Sequence, residues 1–401
     1  MLTRLLLRAP RRGIHTTAHT FYSPTPAFLR DHLASHPAPP DSTSVFLLST
    51  SLPDLPAQLA AVQGISPQSI GSFCVSPPGS EPTLSLATFW DADITLFKSE
   101  LSGRAPAEVG RFQRPERQRE TRSEDLRGST QSDVEGTFGQ GWESIWKGET
   151  NVDKIAGLEG VQADSFLLLS DSRPAPVLSA LDSMFPAAGK TGLLTAPTPF
   201  ITNRPHTLLY NKEILQSGTI GLAINSNPTT KTDFGLSAMV EPVTITSARG
   251  NMLLAIDGIN SNPTQLLISA IQQRGGTGLT KEEEFFLGFL EGGEIKRVTR
   301  IVSGDPGRGA MSLDTEEPLL EGQTVQFMHR SAILFPQPLA RSITFTSLPP
   351  ADQIGDHPIG TPRVSEGFLA SSEEGFIYSN PQSWVCTAPG AVTTTSWYKG
   401  W

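Results

Sequence analysis

The feature that most constrains this chain is an internal repeat. The segment SVFLLSTSLPDLPAQLAAVQGISPQSIGSFCVS, Ser44–Ser76, is answered by SFLLLSDSRPAPVLSALDSMFPAAGKTGLLTAP, Ser165–Pro197. Without a gap, Ser49 aligns with Ser170, Pro53 with Pro174 and Gly71 with Gly192, a constant offset of 121 residues. Each copy reads as an apolar strand ending in serine, a helix with apolar residues at helical spacing (Leu55, Leu59, Val62; Val177, Leu181, Met184) and a second strand led by glycine. A βαβ-like unit that occurs twice is a strong constraint, because one unit alone leaves a sheet face uncovered and two can bury each other's. Each copy is followed by a further apolar strand, LSLATFW near Leu84 and TLLYN near Thr207.

Residues 103–141, between the copies, are too poor in apolar groups for a core. Seven arginines and five acids run from Arg104 to Arg127, followed by GSTQSDVEGTFGQGW. This stretch reads as a solvated insert in the first domain, with Trp142 and Trp146 re-entering structure. After GTIGLAI the texture changes to hairpins: PVTIT and MLLAIDG flank SARGN, Asn262-Pro263 opens the helix PTQLLISAIQQ, and KRVTRIV, AMSL and TVQFMHR are strands. The expected fold class is therefore α+β. Duplicated βαβ-like units fill residues 22–224 and a hairpin-rich mixed-sheet domain fills residues 225–401.

The first thirty residues carry Arg4, Arg8, Arg11, Arg12 and Arg30 with no acid, and on a helix Leu2, Leu5, Leu6 and Ala9 share one face. That is the make-up of a mitochondrial presequence, assigned to residues 1–21 with cleavage between Ile14 and Tyr22 and delivery to the matrix. Its removal takes four arginines with it and moves the formal charge from −9 to −13. So acidic a mature chain argues against nucleic acid as the main partner. Mean hydropathy is −0.16, and no run approaches the roughly 20 apolar residues of a spanning helix.

Two glycine-rich stretches invite a nucleotide reading, and neither sustains it. SGDPGRG, Ser303–Gly309, joins two strands with no helix after it, so it reads as a hairpin turn. Ala188-Gly-Lys-Thr191 ends like a P-loop, but Met184 stands where the first glycine is required. Catalytic chemistry is thinly supplied. GxSxG and HExxH are absent, and only His206, His329 and His357 lie outside the N-terminal region. Glu373 and Glu374 are adjacent, which on a strand would turn them to opposite faces. Cys74 and Cys386 are too few for a zinc cluster, and no metal or cofactor is expected. An enzymatic alternative, hydrolase-like, would use Cys386 or a serine with His329.

The order of segments resembles the FIST family in both its parts. FLLLSDSRPAP, GLLTAPTPFITNRPHTLLYN and GTIGLAI correspond to FIST N. PVTITSARGNMLLAIDG with its helix, and RVTRIVSGDPGRGAMSLDTEEPLLEGQTVQFMHR, correspond to FIST C. The similarity covers about residues 44–390 and implies a ligand-sensing, signal-transduction domain that binds small molecules such as amino acids, with no catalytic motif to carry over. LPDLPAQLAAV departs from the F-box pattern of the family's eukaryotic members. In a two-sheet protein the polar ends of strands are the expected pocket: Ser49, Ser170 and Asp171 in the first domain, Arg249 and Asn251 in the SARGN turn, and Arg300. An arginine would grip the carboxylate of an amino-acid-like ligand.

Overall fold

The structure, a computed structural model, describes residues 14–101, 155–199, 204–258, 261–274, 284–315, 317–330, 336–350 and 357–397. The insert at 103–141, the two tryptophans after it and the arginine-rich leader up to residue 13 lie outside these. The described chain runs β1 (His15–Tyr22), α1 (Pro26–Ser35), β2 (Thr43–Ser49), α2 (Leu55–Val62), β3 (Gln68–Cys74), β4 (Thr83–Trp90) and β5 (Ile94–Ser99). It continues through β6 (Ser165–Ser170), α3 (Ala175–Met184), β7 (Gly189–Leu194), β8 (Leu208–Tyr210), β9 (Glu213–Leu215) and β10 (Thr219–Ile224). Then come β11 (Thr229–Asp233), β12 (Leu236–Ala238), β13 (Val243–Arg249), β14 (Met252–Ile256), α4 (Pro263–Gln273), β15 (Phe285–Glu291), β16 (Glu294–Gly304), β17 (Met311–Leu313) and β18 (Thr324–Arg330). The last are β19 (Ile343–Ser347), β20 (Arg363–Glu366), β21 (Phe368–Ser372), β22 (Phe376–Ser379), β23 (Ser383–Cys386) and β24 (Val392–Ser396). The molecule is rich in mixed sheet and poor in helix.

Two of the sheets share one strand order. One sheet runs β1-β4-β2-β3-β8-β9, with β20 added at its edge, and another runs β5-β10-β6-β7-β22-β23. Position by position the pairings match. β2 and β6 lie parallel to β3 and β7 through a helical crossover, and the remaining neighbours are antiparallel in both. Two details of the gapless alignment are corrected. Val45 and Leu47 face the central core together with Leu167 and Leu169, whereas Phe46 and Leu48 face one helix layer and Phe166 and Leu168 the other. An offset of 121 sets Val45 against Phe166, on opposite faces. The second crossover is one residue shorter, since Val45 faces Ile70 while Ser165 faces Gly189. With a side-chain period of two, that single residue exchanges the faces of a strand. The counterpart of LSLATFW is also not TLLYN but GTIGLAI in β10, because β8 crosses to the first sheet and pairs with β3.

Helices cover the outer faces. Leu55 and Val62 of α2 and Leu29 of α1 pack on Phe46, Phe73 and Leu84, while Val177 and Leu181 of α3 pack on Phe166, Leu168 and Ala223. The inner faces meet in one core. Between them a small sheet, β11-β24-β19-β21, adds Ile343, Phe345, Phe368 and Trp397. It is tied to the first sheet by Thr20 Oγ1, which donates to Gly367 O at 2.7 Å. To the second it is tied by Trp397 Nε1, which donates to Ser165 Oγ at 3.0 Å.

Residues 236–330 form the hairpin region expected from the sequence. Because β18 pairs with β15 on one side and with β12 and β13 on the other, the ring β18-β13-β14-β17-β16-β15 closes on itself. Leu267 and Ile271 of α4 fill it with Leu253, Leu287, Phe289 and Phe327. Asn262 caps α4, its Oδ1 accepting from Gln265 N at 2.9 Å. SGDPGRG is the turn of the β16–β17 hairpin, where Asp305 Oδ1 accepts from Gly307 N and Arg308 N at 2.9 and 3.1 Å.

Two boundaries drawn from the sequence do not divide the structure. The division at 224/225 fails because β20, β22 and β23 return to the two repeat sheets and continue them. The presequence assigned to residues 1–21 overlaps β1, which is paired on both sides and buries Ala18 and Phe21. A cut near Tyr22 would remove an interior strand, so a cleavable leader compatible with this fold ends before Ile14.

Candidate functional site

Of the residues nominated for nucleophilic chemistry, the cysteine is closed off from solvent. Cys386 and Cys74 are buried in the central core, and burial pushes both thiols up to about 12. A thiol so raised is not a nucleophile near neutral pH, which removes Cys386 from the enzymatic alternative. His329 lies on β18 of the closed ring, opposite Phe285 and Ser237. Glu373 and Glu374 occupy the bend between β21 and β22 rather than a strand.

Of the expected polar strand ends, Ser170 and Asp171 sit in a closed, hydrogen-bonded cluster. After β7 the chain bridges the two repeats: Thr195 N donates to Ser170 O at 2.8 Å and Ala196 N to Phe73 O at 2.9 Å. Beside this bridge sits His206, buried, with Nδ1 3.3 Å from Thr195 Oγ1. Burial lowers the pKa of His206, opposed by the negative charges of Asp171 and Glu374. The arrangement superficially suggests a hydroxyl, a base and a carboxylate. Two facts close that reading. Thr195 is fully buried, and both Asp171 oxygens are engaged, Oδ2 accepting from Gly218 N at 2.6 Å and Oδ1 from Arg173 N at 2.9 Å. Ser170 is buried too, with Oγ 2.7 Å from Thr219 Oγ1, and Ser49 Oγ lies 2.7 Å from Ser51 Oγ and accepts from Ser76 Oγ at 2.8 Å. Nothing in the letters RPHT marks His206 in advance.

Arg249, Asn251 and Arg300 belong to the closed ring and form a second group. Asn251 Nδ2 donates to Leu313 O at 2.9 Å, and Arg300 is held by Asp314 at 3.0 Å and Glu284 at 3.6 Å. Arg249 is exposed at its hairpin end. The six nominated residues therefore fall in different sheets, and of the two arginines offered for a ligand carboxylate Arg300 already faces two carboxylates of the protein.

An opening exists at the other end of the first repeat. A cleft of about 300 Å³ lies where the chain leaves the first sheet at Trp90 and enters the second at Ile94. Its lining includes Phe89 and Trp90, and its rim includes Asp41, Ser42 and Gln68. His15 stacks on Trp90 with centroids 5.7 Å apart and planes within 15°. Ser42 and Ser44 both bond to Ser66, and Thr43 Oγ1 donates to Gln68 Oε1 at 3.4 Å, so the rim is cross-linked by hydroxyls. The signal missed in the sequence is FWDAD: an aromatic pair ending a buried strand and running straight into two aspartates.

No family model matches this chain, and no curated protein matches it. Among the described residues no helix is long and apolar enough to cross a membrane.

Proposed function

We propose that this is a non-catalytic, small-molecule-binding protein of the FIST type that works in the mitochondrial matrix. The observation that carries the binding reading is the cleft at Trp90. It has the volume of a small-ligand site, the half-buried Trp90 in its lining and a few polar groups at the rim, the usual make-up of such sites. The inert thiols and the closed cluster at His206 support a binder over an enzyme. The FIST assignment rests on the order of segments quoted above, and the location rests on the basic leader.

Mass spectrometry of small molecules released by denaturing the purified full chain tests the binding reading. A metabolite retained by the native chain and lost from Trp90→Ala is the expected outcome. Its retention by the variant would move the site elsewhere. For location, deletion of residues 2–13 spares β1 and should redirect a tagged copy out of mitochondria. An unchanged pattern would remove the targeting argument.

A further inference from the structure

From the chemistry of the same cleft we infer that its ligand is a small organic cation, an amine bearing an apolar or aromatic group. The inference rests on the binding reading and adds the ligand's charge. Trp90 is half-buried, so its indole reaches solvent in the lining of the cleft, while the ring of Phe89 is fully buried in the core behind it. An indole face is the best aromatic partner for a cation, and the attraction grows where water is displaced. The rim carries charge of one sign. Asp41 lines the cleft and is exposed, and Asp91 and Asp93 stand exposed on either side of the lining residue Ala92. Neither lysine nor arginine lines it. A carboxylate ligand would therefore meet no cation there and would face Asp41.

The rim's remaining groups suit an ammonium as well. Ser42 hydroxyl and the Gln68 side-chain carbonyl can accept hydrogen bonds, as can a carboxylate, whereas an ammonium only donates. Stacking on His15 holds the indole of Trp90 in one orientation, so its placement at the cleft does not have to be organised by the ligand. The amino-acid-like expectation is thus altered in one respect: the group recognised is the amino end, not the carboxylate.

The test uses the full chain and three probes of nearly equal size: benzylamine, benzyl alcohol and benzoate. The Trp90 indole resonance, identified by its loss in Trp90→Phe, is followed through each titration. Benzylamine should shift it saturably, benzyl alcohol at least about fivefold more weakly, and benzoate not at all. In Asp41→Asn, whose folding is checked by thermal melting, the amine's advantage over the alcohol should shrink by about twofold or more, the indole supplying what remains. Equal affinity of amine and alcohol in the native chain overturns the cation while leaving the cleft a binding site. If none of the probes moves the indole, the cleft reading fails together with the cation.

Discussion

The two repeats have the same strand order and the same strand directions, yet they solve the same position differently. Aligned by structure, Ser69 of β3 corresponds to Lys190 of β7, two residues before Gly71 and Gly192 respectively. The backbone N–H is treated alike in both: Ser69 N donates to Asn211 Oδ1 at 2.9 Å and Lys190 N to Ser379 Oγ at 2.8 Å, each acceptor belonging to the hairpin next door. The side chains differ. Ser69 is small, whereas the Lys190 ammonium is wholly buried, bonded to Asp182 at 2.8 Å and to Phe185 O at 2.8 Å, where it caps the end of α3. Asp182 in turn accepts from Ser383 N and Oγ of β23. The apolar strands and the backbone bonds are what duplication requires, and the outer face is free to diverge. In the second repeat it became an ionic tie among α3, β7 and β23.

That contrast yields the largest expected effect. Asp182→Ala strips a buried ammonium of its countercharge and should cost about 3–5 kcal/mol in urea unfolding. Lys190→Met fills the same space without charge and should lie within about 1 kcal/mol of the native chain. Near-equal losses for the two variants would show that the ion pair itself stabilises the fold, rather than that a stranded ammonium destabilises it.

The shared glycines sharpen the comparison at a smaller scale. A Cβ on Gly71 would sit 2.2 Å from the Phe46 ring, and a Cβ on Gly192 would sit 2.4 Å from the backbone oxygen of Leu168. Alanine at either position should cost about 1–3 kcal/mol. The remedy differs: Phe46→Leu should recover part of the loss in Gly71→Ala, whereas Leu168→Ala should recover none in Gly192→Ala, because the obstruction is main chain. Rescue in both repeats would mean that the glycines serve one and the same purpose.

These positions also show how far the sequence could be read. The βαβ units, the helix at Pro263 and the hairpin turn at Asp305 were legible because periodicity, a cap and turn chemistry are local. The one-residue slip was not. Serines end both first strands, and the eye aligns Ser49 with Ser170, but facing is decided by what packs from across the molecule. The crossing of β8 into the first sheet, and the return of β20, β22 and β23, depend on pairing between segments more than a hundred residues apart. The site failed for a related reason. Ser170 and Asp171 are polar strand ends, as expected, but their hydrogen bonds are used up by Thr219, Gly218 and Arg173. Only the folded chain shows that the opening lies at Trp90.

A third difference is titratable. The first repeat carries α1 and β1, which bring His19, His32 and His36 together, with ring centroids 5.4 Å apart for His19–His32 and 4.4 Å for His32–His36. The second repeat has β5 in place of β1. Burial lowers the pKa of His19 and of His32 from 6.5, the charge of His36 adds to both, and Glu366 opposes the shift at His19. A lowered histidine is protonated more readily in the unfolded chain. Its contribution is therefore fully present above about 6.5 and is lost as pH falls through the folded-state value. Melting temperature should drop between pH 7 and pH 5, and less so in His32→Leu. Since His206 shifts the same way, the contrast is read locally. Amide exchange at pH 5 should accelerate in β1 and α1 more than in β5 and α3; equal acceleration would assign the acid sensitivity to His206.

The smallest effect belongs to the hairpins beyond the equivalent strands. In the β8–β9 turn Asn211 has φ 53, a left-handed conformation that asparagine tolerates better than other side chains, and its Oδ1 accepts from Ser69 N. Two terms then separate by substitution. Asn211→Ala keeps the strained backbone and loses the acceptor, and should cost about 1–2 kcal/mol. Asn211→Gly loses the acceptor but relieves the backbone, and should cost about 1 kcal/mol or less. Urea unfolding of the two variants side by side isolates the backbone part as their difference. Should glycine prove the worse of the two, the entropy of the turn outweighs the conformation at Asn211, and the two hairpins are matched by the side-chain acceptor each gives to a backbone N–H rather than by turn geometry.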